Sequence, residues 1–292
     1  MKTTLLILGL SLLTGTGKPP EELGIAFLDV GYGDAILITQ GDYAALIDTG
    51  YPEREGDLFA ALDRRGIDKL DFLLLTHPHP DHLGNAAELV RRMQPKTVAD
   101  NGERISGPRG RLTAEMIDDY TRTVRENPRY RVLSRGDTLI LGQARLEVIW
   151  PPRQKTTRDW NSNSAVILLS FAGFRALLAG DANQVTEQTL LDSGESLQAD
   201  LLKVGHHGAG DTAGVAFLQA VKPRWAAVSV GKNPWGIPAP ETIRRLQKAG
   251  ARVFLTSRDG DIFFRVRDGG QVWIHTDRIA PPIFFVRPSP GN

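Results

Sequence analysis

The apolar run Phe72–Leu75 passes without a break into Thr76-His77-Pro78-His79-Pro80-Asp81-His82, and this junction sets the tightest limits on what the chain can become. A short continuous apolar run reads as a buried strand. Leu83, Ala86, Ala87, Val90 and Met93 then recur at helical spacing, so a helix is expected to begin just after His82. Four side chains able to ligate a metal therefore fall in a loop between a buried strand and a helix N-terminus, where open α/β sheets place ligands. The chain has only six histidines, and three of them stand here. His77 and His79 alternate along an extended loop and can face one ion. Asp81 and His82 lie where the chain turns into the helix and can face a second.

There are no cysteines. Thiolate sites and thiol nucleophiles are excluded, so a metal must be held by imidazole and carboxylate, a donor set that suits hydrolytic Zn²⁺ or Mn²⁺. The formal net charge is +1, so no overall field draws the chain to nucleic acid and any anion binding must be local. Leu177–Ala182 reads as a strand ending in Gly180-Asp181, where a carboxylate can approach two metals and bridge them. Lys203-Val204-Gly205-His206-His207-Gly208 runs a strand into paired histidines. One of the pair can complete the second ion's shell; the other can donate to substrate or orient a ligand. His275 stands in a C-terminal strand and reads as structural.

Residues 1–17 read as a signal peptide. Lys2 gives a positive start, Leu5–Leu13 an apolar core, and Lys18-Pro19-Pro20 a helix stop. Export to the periplasm, envelope or extracellular space is expected. No later stretch approaches ~18 consecutive apolar residues, so no integral membrane domain is expected once the signal is removed.

Strands are expected at Ile25–Val30, Asp34–Thr39 and Tyr43–Asp48, as a meander with glycine turns. A helix follows over Asp57–Arg65, a loop over 101–111, a helix over Leu112–Asn127 and further strands within Val132–Trp150. Ala165–Phe171 and Phe174–Ala179 form a hairpin. A strand to Lys203, a helix at Ala213–Ala220, a strand at Ala226–Val230, a helix at Pro240–Ala249 and strands at Val253–Thr256 and Asp261–Val266 complete the pattern. Two mixed sheets packed together with helices outside are expected, with one domain over 24–276 and a loose tail over 280–292.

The chain resembles the metallo-β-lactamase-fold hydrolases, and among them the hydrolase domain of the ComEC-type competence proteins. The resemblance rests on Phe27–Ala35, Leu46–Gly50, Thr76–Gly84, Asn161–Ser164, Ala179–Asp181, Lys203–Gly208, Ser229–Asn233 and Ser257–Asp261. It implies an α/β fold, a four-layer αβ/βα sandwich with two divalent metal ions, Zn²⁺ or Mn²⁺, at one edge. It implies His77, His79, Asp81, His82, Asp181 and His206 as metal ligands, His207 beside Asp81 as a catalytic group, and Asp48 as the residue that orients the metal loop. Asp29 and Asp34 are taken to shape the early glycine turn. The sequence departs from the family in two places. No histidine lies between His82 and Asp181, where Asn161-Ser162-Asn163-Ser164 stands instead, so the first ion is expected to be held more weakly. Gly236-Ile237-Pro238-Ala239-Pro240 lacks the imidazoles of a G-H-P-H-P string. The membrane channel of ComEC-type proteins has no counterpart here, so a free-standing form is expected.

Arg104, Arg109 and Arg111 share one loop, and Arg153, Lys155, Arg158 and Trp160 another. Cations beside a stacking ring are what a single strand of nucleic acid needs. Asn163, Lys203, Lys232, Arg158 and Trp160 are the candidate substrate contacts. The reading is a two-metal phosphodiesterase or nuclease with a metal-bridging water and Asp81 orienting or deprotonating it. DNA or another phosphodiester is the partner, and the sequence points to no protein partner. Two alternatives stand beside it: hydrolysis of an amide, lactone or thioester on the same site, and a binding module with weakened catalysis.

Overall fold

Alternation along the strands decides the layers of this computed structural model, which describes residues 22–155, 157–268, 270–278 and 282–286. Ile25 and Phe27 of β1 (Glu22–Phe27) enter one core while Ala26 between them enters another. The same split recurs at Leu74 against Leu73 and Leu75, and at Ala176 and Leu178 against Leu177. Successive strand side chains point to opposite faces, so a strand apolar on both faces must be covered on both.

The remaining strands are β2 (Ile36–Gln40), β3 (Tyr43–Ile47), β4 (Phe72–Leu75), β5 (Thr97–Asp100), β6 (Tyr130–Val132), β7 (Thr138–Leu141), β8 (Ala144–Trp150), β9 (Val166–Phe171), β10 (Phe174–Leu178), β11 (Leu201–Lys203), β12 (Trp225–Val228), β13 (Arg252–Leu255), β14 (Ile262–Arg267), β15 (Gln271–Thr276) and β16 (Ile283–Val286). One sheet runs β16-β15-β14-β1-β2-β3-β4-β5-β6, the other β13-β12-β11-β10-β9-β8-β7. Ile25, Phe27, Ile36, Ile47, Val148, Ile167, Leu169 and Leu178 meet between the two sheets. Helices Glu55–Asp63 and Ala86–Met93 cover the outside of the first sheet through Leu58, Leu62 and Leu89. Helices Gln184–Asp192, Val215–Val221 and Pro240–Lys248 cover the second through Leu190, Phe217, Leu218 and Leu246. This is the expected αβ/βα sandwich.

Parallel pairing places the functional loops. β3, β4, β5 and β6 run parallel in the first sheet, and β10, β11, β12 and β13 run parallel in the second. Parallel neighbours bring their C-terminal ends to one edge. Asp48 follows β3, Thr76–His82 follow β4, Asp181 follows β10 and His206-His207 follow β11.

Several expectations change. The first strand stops at Phe27, because Leu28–Asp34 forms a loop in which Gly31 and Gly33 take positive φ. The helix after His82 is split into Pro80–Leu83 and Ala86–Met93. Leu112–Asn127 becomes an α-helix at Ala114–Tyr120 and a π-helical turn at Thr121–Arg125. β5 was not expected, being too short to display a period. The helix Gln184–Asp192 was not expected either; Asn183 caps it by accepting from the amides of Val185 and Thr186. Residues 283–286, placed in a loose tail, instead pair antiparallel with β15, and the sheet starts at Glu22, outside the expected 24–276. The signal-peptide segment 1–17 lies outside the described residues. No helix among the described residues is long and apolar enough to cross a membrane.

Candidate metal centre

Six side chains from the two sheets converge on one point. Asp81, His82, Asp181 and His207 each offer a ligand atom, all within 4.8 Å of one another; His77, His79 and Asp181 do the same. Asp181 belongs to both groups, as a bridging carboxylate must. Its backbone is fixed by the Ser164 hydroxyl, which accepts from the Asp181 amide at 2.9 Å. Gly180 before it has φ +52°, and a Cβ there would stand 2.2 Å from the same Ser164 oxygen. Glycine is therefore required where β10 delivers the carboxylate.

The imidazoles are aimed by their far nitrogens. His82 Nδ1 lies 2.8 Å from Asp48 Oδ2, which leaves Nε2 facing Asp181 at 3.2 Å and Asp81 at 3.7 Å. Asp48 also accepts from the Thr76 amide at 2.7 Å and the Thr76 hydroxyl at 2.8 Å. It thus locks both the start of the metal loop and one of its rings, in the manner of a carboxylate behind a ligating histidine. His77 Nδ1 reaches Thr76 Oγ1 at 3.1 Å and Ser164 Oγ at 3.3 Å. Its Nε2 points at His79 Nδ1, 2.8 Å away.

The donor set fits divalent cations. His82 Nε2 and Asp181 Oδ1 are buried without a hydrogen-bond partner among the described residues. Buried polar atoms are normally satisfied, and a cation at this convergence would satisfy both. Burial and the imidazoles of His82 and His79 hold His77 well below the ordinary histidine range, and burial lowers His79 too. Both rings therefore present lone pairs near neutrality. His82 and His207 behave oppositely. Burial opposes their charge, but Asp181 with Asp48 and Asp81 raises His82 well above its usual value. Asp181 and Asp81 raise His207 to about 10.

A pH dependence follows. Ligating imidazoles must be neutral, so ion uptake at the His82–His207 group must displace protons. Affinity should rise with pH between about 6 and 8, by up to about tenfold per unit for each displaced proton. Calorimetry in two buffers of different ionisation enthalpy measures the release directly; a buffer-independent heat would contradict it. In the ion-free protein the sign is opposite. The raised His207 pKa stabilises the fold fully below the unfolded imidazole value of about 6.5, and that contribution is lost as pH rises through about 10.

Five residues do not stand where the sequence placed them. His207, rather than His206, joins the convergent group. Both take left-handed backbone, φ 45° and 52°, directly after Gly205, where a Cβ would stand 2.1 Å from the Ala182 carbonyl oxygen. This turn drives the His207 ring inward, 3.2 Å from Asp81 Oδ2 and 3.5 Å from Asp181 Oδ2, with Nδ1 at 2.9 Å from the Ser229 carbonyl. His206 turns outward, toward Asn161 at 3.2 Å and Asp211 at 3.4 Å. Lys203 is not a substrate contact: it is fully buried and paired with Asp34, donating to the Gly180 carbonyl at 2.6 Å. Asn163 is buried too, donating to Glu103 and to the Thr157 carbonyl. Trp160 lies beside His79, ring centres 5.3 Å apart, but is 5% exposed and covered by Arg109, so it has no free face for a base. Arg158 and Lys232 are exposed.

The sequence reading missed Asp34 and Ser164 as supports. Asp34 is fully buried, ion-paired to Lys203 and 3.7 Å from His207 Nδ1. It also missed Tyr32, whose ring lies 4.5 Å from His207.

Known proteins share the sequence pattern and the fold. The chain is 28% identical over 281 residues to ComE operon protein 3 of Bacillus subtilis, covering 90% of this chain and 35% of that protein. It is 30% identical over 249 residues to Recombination protein 2 of Haemophilus influenzae, covering 82% and 29%. It thus spans about a third of the length of these ComEC-like relatives. The metallo-beta-lactamase fold protein YhfI of Bacillus subtilis superposes with a TM-score of 0.56 at 14% identity, over 84% of this chain and 99% of that one, which speaks for the fold alone. The sequence profile of the metallo-beta-lactamase superfamily matches residues 28–232. That span holds every convergent imidazole and carboxylate described above, and the chain belongs to the metallo-beta-lactamase superfamily.

Proposed function

We propose that the protein is a two-metal phosphodiesterase whose first substrate to test is DNA. The observation that carries this reading is the single carboxylate of Asp181 shared by two donor groups. His77, His79 and Asp181 would hold one ion, and Asp81, His82, Asp181 and His207 the other. Two divalent ions so held would acidify a water and neutralise charge on both the attacking and the leaving oxygen of a phosphodiester. The protein's own part is positional. Asp48 and Ser229 fix the rings of His82 and His207, and Ser164 fixes Asp181. Asp81 offers a carboxylate oxygen that can orient the attacking water and accept its proton. His206, next to His207 in the chain, lies 3.2 Å from the Asn161 amide nitrogen, a donor that could turn to a phosphoryl oxygen. The first group has two imidazoles and a shared carboxylate, a composition that suits Mn²⁺ at least as well as Zn²⁺. The relatives named for competence and recombination support DNA as the phosphodiester.

Protein loaded with Mn²⁺ or Zn²⁺ is to be assayed on bis-p-nitrophenyl phosphate, single-stranded DNA and a β-lactam. Phosphodiester turnover is expected to exceed β-lactam turnover, and activity on DNA to fall steeply with added salt. Higher β-lactam turnover under both metals would refute the proposal. Fully metallated protein inert on all three would put a binding module in its place.

A further inference from the structure

The sequence placed a stacking ring at Trp160, which is buried. An exposed ring, that of Trp235, instead connects to the cluster through Tyr32 and His207, where Trp160 meets His79. Trp235 is 58% exposed, an unusual state for the largest apolar side chain. Its ring centre is 4.9 Å from that of Tyr32, which is itself 4.5 Å from His207. An aromatic ledge thus leads from the proposed ligand His207 to solvent in two ring-to-ring steps.

The ledge is built to stay in place. Gly231 is pressed so closely on the backbone of Gly31 and Tyr32 that a Cβ would stand 2.4 Å from it, so the two loops that carry the rings touch backbone to backbone. Asn233 fastens the turn between them. Its amide donates to the carbonyls of Gly231 and Ile237, at 2.9 and 2.6 Å. Its oxygen accepts from the amides of Trp235 and Ile237, at 3.0 and 3.2 Å. A ring held this way loses little freedom when a ligand stacks on it. Trp235 and Tyr32 line a cleft of about 440 Å³ whose wall also carries Arg54, Arg111, Lys232 and Arg278. Glu53 and Asp29 in the same wall are ion-paired to Arg111 and Arg278 and Arg54 to Asp57 outside it, so the four cations of the wall face two carboxylates within it.

We propose that this Tyr32–Trp235 ledge binds an unpaired nucleobase of single-stranded DNA, with the cleft cations on the flanking phosphates. The proposal deepens the phosphodiesterase reading and rests on it for the choice of ligand. A flat, exposed ring beside cations offers a base its π-face and the backbone its counter-charge. A base inside a duplex has no face free to use it. The ledge would therefore admit single strands and reject paired ones.

Binding is to be measured by anisotropy on metal-loaded protein, with phosphorothioate oligothymidylate of about 12 nucleotides, an abasic strand of equal length and a duplex. The wild type should hold the thymidylate strand about tenfold more tightly than the abasic strand or the duplex. Trp235→Ala should remove that advantage without weakening the abasic strand, and Trp235→Phe should restore most of it. Equal binding of all three by the wild type, or an equal loss on both single strands in Trp235→Ala, would overturn the ledge. An unchanged melting temperature is expected from so exposed a side chain and separates lost stacking from lost folding. Hydrolysis of bis-p-nitrophenyl phosphate by the same wild-type preparation is scored apart. Its absence counts against the phosphodiesterase reading, while base-dependent binding alone judges the ledge.

Discussion

Asp181→Ala is expected to strip metal from both donor groups and to lower hydrolysis by at least about a hundredfold. The carboxylate is the one residue common to the two groups, so no single-site loss can follow from its removal. Its charge also matters to its neighbours. Burial raises the Asp181 carboxyl, but His207 and His82 outweigh it and hold it well below the ordinary carboxylate range. Without that charge the two imidazoles lose their largest electrostatic support. Asp48→Asn is the instructive comparison. Asp48 touches His82 Nδ1 and Thr76 rather than the convergence point, so this variant should lose only about 10–100-fold in metal affinity. Metal content by mass spectrometry, set beside turnover, separates the two. An Asp181→Ala protein that retained both ions would show that the carboxylate does not bridge.

Lys203→Met is expected to destabilise the fold by about 3–5 kcal/mol, seen as a lowered urea midpoint with an unchanged slope. The ammonium is fully buried, faces Asp34 and Asp181, and donates to the Gly180 carbonyl. Although burial disfavours its charge, Asp34 and Asp181 hold its pKa above the usual lysine value. Removing it takes the counter-ion from the buried Asp34 carboxyl group, which accounts for the size of the effect. Lys203→Met combined with Asp34→Asn should recover much of the loss, because the uncompensated charge is then gone. A lysine that touched substrate would instead raise KM at constant stability. That outcome would reinstate the reading from the sequence alone.

The convergence of the His77–His82 string was legible because it is local: His77, His79, Asp81 and His82 come together through one loop after one strand. Asp181 was legible for the same reason, as a carboxylate directly beyond a buried apolar run. What the sequence hid is long-range. Nothing in Gly205-His206-His207-Gly208 tells which ring turns inward; the partners that receive the rings, Asp81 and Ser229 for His207 and Asn161 for His206, lie elsewhere in the sequence. Lys203 looks like a surface cation until Asp34, far away in sequence, is seen to neutralise it. Trp160 and Trp235 are equally plausible rings on paper. Packing beneath Arg109 consumes the first, and the Asn233 turn presents the second. Helix Gln184–Asp192 was missed because its apolar residues are few and its start is announced only by the Asn183 side chain.

The placement of the parallel strands has a consequence for how the molecule comes apart. Asp48 and the His77–His82 loop hang from the first sheet, Asp181 and His207 from the second, and the 98 residues from Leu83 to Gly180 must be folded before they meet. Neither half alone offers a complete coordination shell. Any ion bound there acts as a rivet between halves, favouring only the assembled chain and shifting the whole unfolding equilibrium by mass action. Loss of the ion should therefore loosen the sandwich as a unit, so that a chelator lowers the endurance of residues far from the edge where the ion sits.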